Sequence, residues 1–374
     1  MTPRIPARMS ARFTARRTTP SVRSVAASLV AVAALTGVAC SDDLDRNGSG
    51  PVTLTLVTYD SFPPEGTSLN DALAAFTTET GIGIELLIAG DTGTMVSKAV
   101  LTAGNPEGDV MWGIDNTLLS RAVPAFEPYL STELAAIDPA LTALVPDGEL
   151  TPVDFGDVCI NYDIAWFERE GLDPPTTFDD LLDPAYADLL TVQDPASSSP
   201  GLAFVLATVA EYGPDGWQQY WADLRANGVE VVDSWSTAYY ERFSGSSGAG
   251  PRPLVVSYAS SPPAEVIFAD PPRDDAATAV MLDTCFRQVE FAGVLRGTEH
   301  PDEAGQLVDF LASAAFQQEI ALNLFVWPAR TDVALPREFT EFADVADTPL
   351  TVDPAEIEAN REAWVDEWTQ IVLR

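Results

Sequence analysis

The chain has 374 residues, with 56 acidic against 20 basic side chains and a formal net charge of −36. This acidity argues against binding to nucleic acid, whose phosphates need a basic surface, and against adsorption to anionic lipid, and it favours a cationic solute. His300 is the only histidine, which argues against a His-based catalytic triad and against a multi-histidine zinc site.

The N-terminus has the pattern of an export signal. Residues 1–23 contain six arginines and no acidic residue, and an apolar run over 25–39 follows that is too short to span a bilayer as a helix. Because Cys40 comes directly after this run, we expect lipoprotein processing: 1–39 is removed, and an acylated Cys40 holds the protein at the outer face of the cell membrane. Simple export to the periplasm is the alternative, since Gly37 stands where a lipobox usually has an aliphatic residue. Loss of the six arginines takes the net charge from −36 to −42, and residues 40–51 are predicted to be a disordered tether.

Strands alternate with helices along the first part of the folded chain. Runs of alternating or continuous apolar residues predict strands, and apolar residues at helical spacing predict helices. The predicted strands are 52–58, 83–88 and 109–112, and the predicted helices are 69–78, 95–102 and 116–123. This alternation predicts an α/β fold with mainly parallel strands.

The second part continues this pattern. The predicted strands are 158–162, 229–232 and 253–258, and the predicted helices are 178–182, 200–212, 215–226, 303–312, 315–322 and 354–373. A folded part of about 325 residues favours two lobes, and the segments 151–157 and 285–291 could serve as crossings between them. Cys159 and Cys285 lie just inside these segments, so we expect a disulfide between them in an oxidising compartment, with two buried thiols as the alternative.

Several motifs, in their order and spacing, resemble the thiamine-binding component of bacterial ABC transporters. The motifs are TYDSF at 58–62, WGIDNTLL at 112–119, VDFG at 153–156, QDPASSSPGL at 193–202, WSTAY at 235–239, VSYASSP at 256–262 and REAWVDEW at 361–368. The resemblance covers nearly all of 52–374. It implies a two-lobed periplasmic-binding-protein fold of type II, in which each lobe is a mainly parallel sheet flanked by helices and the ligand binds in the cleft between them. The first lobe would comprise 52–155, the second 156–286, and 287–374 would return to the first lobe and supply the C-terminal helices.

The resemblance also implies aromatic ligand contacts. Trp235 and Tyr258 match binding positions of the family, and aromatic faces hold a thiazolium cation well; core packing is the alternative for each. Ala259, Ser260 and Ser261 match the family's contact run after Tyr258. Their amides and hydroxyls could bind a phosphate or the hydroxyethyl tail of thiamine.

Two further loops are candidates for ligand contact. Ser198 and Ser199 precede a predicted helix, whose N-terminus attracts phosphate, although helix capping alone would explain them; Ser199 stands where the family has Thr. Asp91 and Thr92 lie between a strand and a helix, the usual place for ligand contacts in an open α/β sheet. Asp91 could accept a hydrogen bond from the aminopyrimidine or offset the positive ring, or simply cap the helix, and Thr92 replaces a Gly of the family.

The remaining candidates lie near the strand ends and the crossings. Tyr59 and Asp60 end the first strand and could line the same cleft. Phe325 stands where the family has a stacking Trp, so the indole N–H is lost. Asp157 replaces a family aromatic near the first crossing, where an acid could pair with the cation or face water.

The predicted function is capture of thiamine, or of its mono- or diphosphate, by cleft closure, and delivery to a membrane permease and its ATPase. We expect a monomer that is not an enzyme, since no nucleophile elbow Gly-x-Ser-x-Gly is present, and that needs no cofactor or metal. Two alternatives stay open. Paired tyrosines, Tyr239 and Tyr240, suggest a ferric-iron-binding component, and the acidity together with the aromatics suggests a polyamine-binding one.

Overall fold

We describe residues 51–269, 271 and 273–374 of a computed structural model. The predicted signal peptide, Cys40 and nearly all of the predicted tether lie outside the described residues. Within the described part, the structure contains no helix that is both long enough and apolar enough to cross a membrane.

A single mixed sheet runs through the described part of the chain. Its strands are β1 Thr53–Thr58, β2 Gly83–Ile88, β3 Val110–Asp115, β4 Phe126–Glu127, β5 Thr151–Asp163, β6 Leu190–Gln193, β7 Glu230–Val232, β8 Leu254–Tyr258, β9 Thr278–Leu295 and β10 Trp327–Pro328. Their order is β2-β1-β3-β9-β5-β8-β6-β7, with β4 on β9 and β10 on β5. The β1, β2 and β3 strands are parallel to one another, as are β6, β7 and β8. We call the parts built around these two groups the first lobe and the second lobe.

The helices cover the faces and ends of this sheet. The α-helices are α1 Ser68–Thr80, α2 Thr92–Leu101, α3 Leu119–Ala122, α4 Pro139–Thr142, α5 Ile164–Glu170, α6 Ser199–Tyr212, α7 Trp217–Ala226, α8 Pro262–Ile267, α9 Pro301–Leu311, α10 Ala314–Gln317, α11 Ile320–Leu324, α12 Arg337–Phe342 and α13 Pro354–Val372. Short 3-10 helices lie at Val123–Ala125, Leu134–Ala136, Asp179–Leu182 and Pro184–Tyr186, and a π-helix at Thr237–Arg242. Of these helices, α6 is buried from Ser199 to Val209, as expected for an apolar helix that packs on a sheet inside a lobe.

Two long antiparallel strands, β5 and β9, connect the lobes. They pair with each other from Thr151 opposite Ala292 to Asp163 opposite Thr278, and β9 also pairs with β3 while β5 pairs with β8. The predicted crossings 151–157 and 285–291 both lie on these strands. The predicted lobe boundaries at 155 and 286 fall inside them and stay a prediction.

The C-terminal helix lies against both lobes. The α13 helix packs against α7 of the second lobe as well as against α3 of the first. The rings of Trp368 and Trp221 are 5.4 Å apart edge to face, and the Arg225 guanidinium donates to the carbonyl of Ile371. The last helix therefore contacts both lobes, because its buried tryptophan face complements the aromatic face of α7.

The predicted disulfide between Cys159 and Cys285 is present and joins β5 to β9. It lies where the register shifts between Val158 and Ile160, and the Thr284 hydroxyl accepts the Ile160 N–H there at 3.1 Å. Close by, Asp157 is buried and forms an ion pair with Arg287, and its carboxylate also accepts the Ala346 N–H at 2.8 Å. The two expectations for Asp157 are therefore wrong: its carboxylate neither faces water nor is free for a ligand cation, because Arg287 already neutralises it.

Candidate functional site

A cavity of about 260 Å³ lies between the two lobes. Much of its wall is built from residues at or just after strand ends: those after β1, the turn from β2 to α2, the turn from β6 to α6, the segment after β7 and the turn after β8. Residues of α8 and α11 and Glu290 within β9 complete the wall. Since the carboxyl ends of parallel strands meet at one edge of a sheet, this is the position where open α/β folds bind ligands.

Most of the residues that the sequence proposed as ligand contacts line this cavity. They are Tyr59, Asp60, Asp91, Thr92, Ser199, Trp235, Tyr258, Ser261 and Phe325. The structure thus brings together residues that lie up to 266 positions apart in the chain. Ser198, Ala259 and Ser260 are buried but are not part of the cavity wall.

Aromatic rings form one wall. Trp235 stacks on Tyr239 with ring centres 4.9 Å apart, and Tyr240 and Tyr258 flank it at 5.4 and 6.4 Å. The Trp235 indole N–H donates to the Ser257 hydroxyl at 3.0 Å, and the Tyr258 hydroxyl donates to Gln288 at 2.6 Å. These hydrogen bonds fix the ring orientations, so the wall is largely pre-formed for a flat ligand.

Asp91 joins the two lobes at the cavity. It caps α2 of the first lobe by accepting the Thr92 N–H at 2.7 Å, and it also accepts the Trp235 N–H of the second lobe at 3.0 Å. Burial raises the pKa of Asp91 to about 6, even though these two donors and the Ser198 hydroxyl oppose the shift. Asp91 therefore both caps its helix and presents a buried carboxyl group to the cavity.

The three predicted residues outside the cavity wall support the residues that form it. The Ala259 N–H donates to the Asp157 carbonyl at 2.8 Å, so this amide is not available to a ligand. The Ser260 hydroxyl donates to the Phe325 carbonyl at 2.7 Å. Ser198 lies beside Asp91, and its hydroxyl opposes the rise in the pKa of Asp91 that burial causes. In a turn, successive side chains point in different directions, so a contact run of consecutive residues cannot all face one ligand.

Phe325 adopts a left-handed backbone conformation, with φ of 55°, at the end of α11. This conformation is uncommon for a residue other than glycine and costs backbone energy. The hydrogen bond from Ser260 to its carbonyl helps to hold it there. The ring packs edge to face on Phe268 at 5.8 Å, so the two phenyl rings form an apolar part of the cavity wall.

Three carboxyl groups lie side by side on adjacent strands at the base of the site. Glu290 on β9 is in register with Asp115 on β3 and with Asp154 on β5. All three are buried, and Glu290 lines the cavity. Asp115 accepts hydrogen bonds from Thr117 and Gln288, and Asp154 accepts one from the Trp112 indole at 3.0 Å.

The charge of the cavity is entirely of one sign. Its wall contains the carboxyl groups of Asp60, Asp91 and Glu290, and among the described residues that line it there is no Lys, Arg or His. Burial, followed by the neighbouring acids Asp154, Asp115 and Asp91, raises the pKa of Glu290 well above its usual value. The electrostatics therefore favour a ligand that carries positive charge.

Comparisons with known proteins identify the family. Residues 122–345 match the model of the bacterial extracellular solute-binding proteins. The chain belongs to this family. It is 30% identical over 325 residues to the thiamine-binding periplasmic protein of Salmonella typhimurium, which covers 86% of this chain and 94% of the relative, and 29% identical over 321 residues to the Escherichia coli protein of the same name, with the same coverage.

The fold of this solute-binding protein matches that of solved relatives. A structure described as periplasmic thiamin binding protein superposes with a TM-score of 0.74 at 27% identity, covering 86% of this chain and 96% of that one. The expected two-lobed periplasmic-binding-protein fold of type II is thereby confirmed.

The sequence missed several groups of this solute-binding protein's cavity. Phe268 and Glu290 line it without having been proposed as ligand contacts, and Tyr239 and Tyr240 line it although the sequence suggested them only as iron ligands. Gln288 and Glu290 are polar residues at alternate positions within the buried end of β9, and this alternation is the signal that could have indicated a polar floor.

Proposed function

We propose that this chain captures thiamine outside the cytoplasmic membrane and delivers it to the permease of an ABC importer. The observation that carries the proposal is the cavity between the lobes, which combines an aromatic wall with carboxyl groups and has no basic residue in its described lining. A relative of 30% identity that is named as thiamine-binding supports the same ligand.

The chemistry of thiamine fits the groups that line the cavity. Its thiazolium ring carries a fixed positive charge, which aromatic faces attract through their quadrupole, and Trp235 and Tyr258 offer such faces. Its aminopyrimidine ring carries an amino group that can donate to a carboxylate, a role suited to Asp91. Burial of both rings adds the apolar contribution that a pocket of this size supplies.

Thiamine itself suits this cavity better than its phosphate esters. A phosphate would add negative charge next to Asp60, Asp91 and Glu290, with no Lys, Arg or His among the described lining residues to balance it. The N-terminus of α6, proposed from the sequence as a phosphate site, already lies next to a carboxyl group. Burial raises the pKa of Asp115, and hydrogen bonds from Thr117 and from the Ser199 hydroxyl oppose this rise. We therefore expect each added phosphate to weaken binding, because like charges placed together at a buried site repel.

Capture would proceed by closure of the lobes. The carboxylate of Asp91 on the first lobe accepts the Trp235 N–H of the second, so the cavity wall is continuous only when the lobes are together. A ligand that touches both sides favours this closed state through its differential affinity, and the permease would recognise that state.

Iron binding is disfavoured by the surroundings of the paired tyrosines. Tyr239 is buried beneath Trp235, and its hydroxyl donates to Glu265 at 3.1 Å. Burial raises the pKa of Tyr239 well above its usual value, whereas a ferric ligand must be a tyrosinate. Among the described residues, no group of three or more His, Cys, Asp or Glu side chains could hold a metal ion.

Calorimetric titration of the purified protein tests the proposal. Thiamine, thiamine mono- and diphosphate, spermidine and ferric citrate would each be titrated into the same preparation. We expect one thiamine per chain with a dissociation constant of about 1 μM or lower, corresponding to about −8 kcal/mol, and weaker binding of the diphosphate by at least about tenfold. Absence of thiamine binding would refute the proposal, and tight binding of spermidine would favour the polyamine alternative.

The cellular location follows from the N-terminal pattern, and we propose that Cys40 is acylated. The pattern of basic flank, apolar run and cysteine supports this. Mass spectrometry of the protein recovered from membranes should show a lipid on Cys40 as the first residue. A freely secreted chain with an unmodified thiol would support simple export instead.

A further inference from the structure

Glu290 has a carboxyl oxygen that the protein does not satisfy. The residue is 8% exposed and lines the cavity, and among the described residues no group forms a hydrogen bond with its Oε2. A buried polar atom without a partner costs free energy. An atom of this kind in a cavity wall indicates that a ligand supplies the missing partner.

The neighbours of Glu290 are acids on both sides. In-register residues on adjacent strands have side chains on the same face of the sheet, with Cβ atoms about 5 Å apart, and Glu290 is in register with Asp115 and Asp154. The Oδ1 of Asp154 likewise has no hydrogen-bond partner among the described residues. Because two buried carboxyl groups so close together cannot both ionise without a cation, at least one of them keeps a proton near neutral pH.

Titratable groups from every element around Glu290 interact electrostatically with its carboxyl group. They are Asp154 on β5, Asp115 on β3, Asp91 before α2, Tyr59 after β1 and Tyr258 on β8. Among the described residues that line the cavity, no basic side chain lies beside Glu290. Arg287, on the same strand, is paired with Asp157. Burial raises the pKa of Asp154 to about 7. Burial, together with the adjacent acids Asp154, Asp115 and Asp91, raises the pKa of Glu290 well above its usual value.

We propose that Glu290 is a further ligand-contacting residue, that its carboxylate pairs with the positive charge of the bound ligand, and that the proton held by Glu290 and Asp154 in the free protein is released to solvent when the cation binds. This inference rests on the proposed function, because it assigns a partner to the cationic ring of thiamine. The cation replaces the proton as the positive charge at the carboxyl pair, so the net charge of the buried site stays balanced.

The first test counts protons with the unmodified protein. Thiamine would be titrated calorimetrically at several pH values between 6 and 8, in buffers that differ in ionisation enthalpy. We expect release of up to one proton per thiamine. Below the pKa of the pair, the dissociation constant should fall by up to about tenfold for each unit by which the pH rises, and above that pKa it should level off. Binding of thiamine with no proton release and no dependence on pH would overturn this inference and leave the proposed function standing, whereas absence of thiamine binding would refute both.

The second test assigns the proton to Glu290. Glu290→Gln keeps the shape of the side chain but cannot ionise, so it should reduce the number of protons released and weaken thiamine by about tenfold or more. It should change the affinity for an analogue with a neutral ring in place of thiazolium by less than about threefold. Equal weakening of both ligands, or an unchanged number of released protons, would show that Glu290 is only structural.

A variant of the neighbouring strand gives an independent readout. Asp154→Asn removes the acid that shares the proton, so Glu290 should ionise more readily, and the pH at which affinity levels off should move down. If Glu290→Gln does not fold, this shift and the proton count of the unmodified protein still decide the question. An unchanged pH profile in Asp154→Asn would count against the shared proton.

Discussion

Asp91 shows how one carboxyl group can serve the fold and the site together. Its two oxygens accept N–H groups from different lobes, so the residue caps α2 and holds Trp235 in place when the lobes are closed. Helix capping and ligand contact are therefore not alternatives at this position, because the same carboxylate faces the cavity.

Trp235 should be the main affinity anchor. It stacks on Tyr239, and its indole is fixed by Ser257, so truncation removes an oriented ring from the aromatic wall of the cavity. Trp235→Ala should weaken thiamine binding by about 2 kcal/mol, a factor of roughly 30, and Trp235→Phe by less, because a stacking face remains. Calorimetry would measure both, with Trp166→Ala as the control, since Trp166 packs on Phe167 away from the cavity. Equal affinity in Trp235→Ala and the control would remove Trp235 from the site.

Residue chemistry explains which parts of the site the sequence could predict. The family resemblance indicated Tyr258 and Ser261, and the position of Tyr258 at the end of β8 agrees with the rule that ligands bind beyond strand ends. Ala259 and Ser260 belong to the same turn, but their directions depend on backbone angles that a sequence does not specify. Glu290, Asp115 and Asp154 come from three strands far apart in the chain, and only the observed register brings them side by side.

At the scale of elements, β5 and β9 determine the architecture. The short apolar run at 158–162 predicted a strand of ordinary length, whereas β5 extends from Thr151 to Asp163 and β9 has 18 residues. Polar residues within the crossings hid their strand character, because their side chains are buried in the interior instead of facing water, as in the ion pair of Asp157 with Arg287. Alternation of strands and helices is a local pattern, and in the first lobe the runs 52–58, 83–88 and 109–112 predict β1, β2 and β3. In the second lobe the runs 229–232 and 253–258 predict β7 and β8, whereas β6 between them was not predicted.

The disulfide should stabilise β5 and β9 without taking part in binding. Cys159 and Cys285 link positions 126 residues apart, and closing a long loop restricts the unfolded chain. The double variant Cys159→Ser/Cys285→Ser should therefore lose about 2–4 kcal/mol of unfolding free energy. Its affinity for thiamine should stay within about threefold, because the β5–β9 pairing remains and neither cysteine lines the cavity.

Chemical denaturation and calorimetry would measure the two effects of the double variant. Titration of the denatured, unreduced protein should find neither Cys159 nor Cys285 as a free thiol. A large loss of affinity would instead make the disulfide part of the closing mechanism. Unchanged stability would mean that the bond contributes nothing to the folded state.

At the scale of the whole molecule, negative charge acts in two ways. A net charge of −36 attracts a cation towards the cleft, but the acidic side chains also repel one another. Added salt screens both interactions, so it should slow the approach of the cation and reduce the repulsion within the folded chain. Within the closed cavity, salt reaches the buried acids poorly, and proton binding takes over as the means of reducing charge. The acidic composition of the chain is thus accompanied by a group of buried carboxyl groups at the cavity.

The stability of the free protein should therefore fall as pH rises through the neutral range. The pKa values of Asp154 and Glu290 are raised in the folded state by burial, and that of Asp91 is raised to about 6. The folded chain thus holds protons that the unfolded chain has already released above its carboxyl pKa of about 4, and the stability from these groups is present at low pH and lost as pH passes their folded values. Urea denaturation from pH 5 to 8 should show a free energy of unfolding that declines by on the order of 1 kcal/mol per pH unit from such a group. The decline should be shallower in Asp154→Asn. It should be the same as in the wild type in the control Asp366→Asn, which replaces an exposed acid on α13. Saturating thiamine should stabilise the protein more at pH 8 than at pH 5.5, because a bound cation replaces the lost proton; an identical slope in wild type and Asp154→Asn would show that the acids on β5 and β9 are ionised throughout.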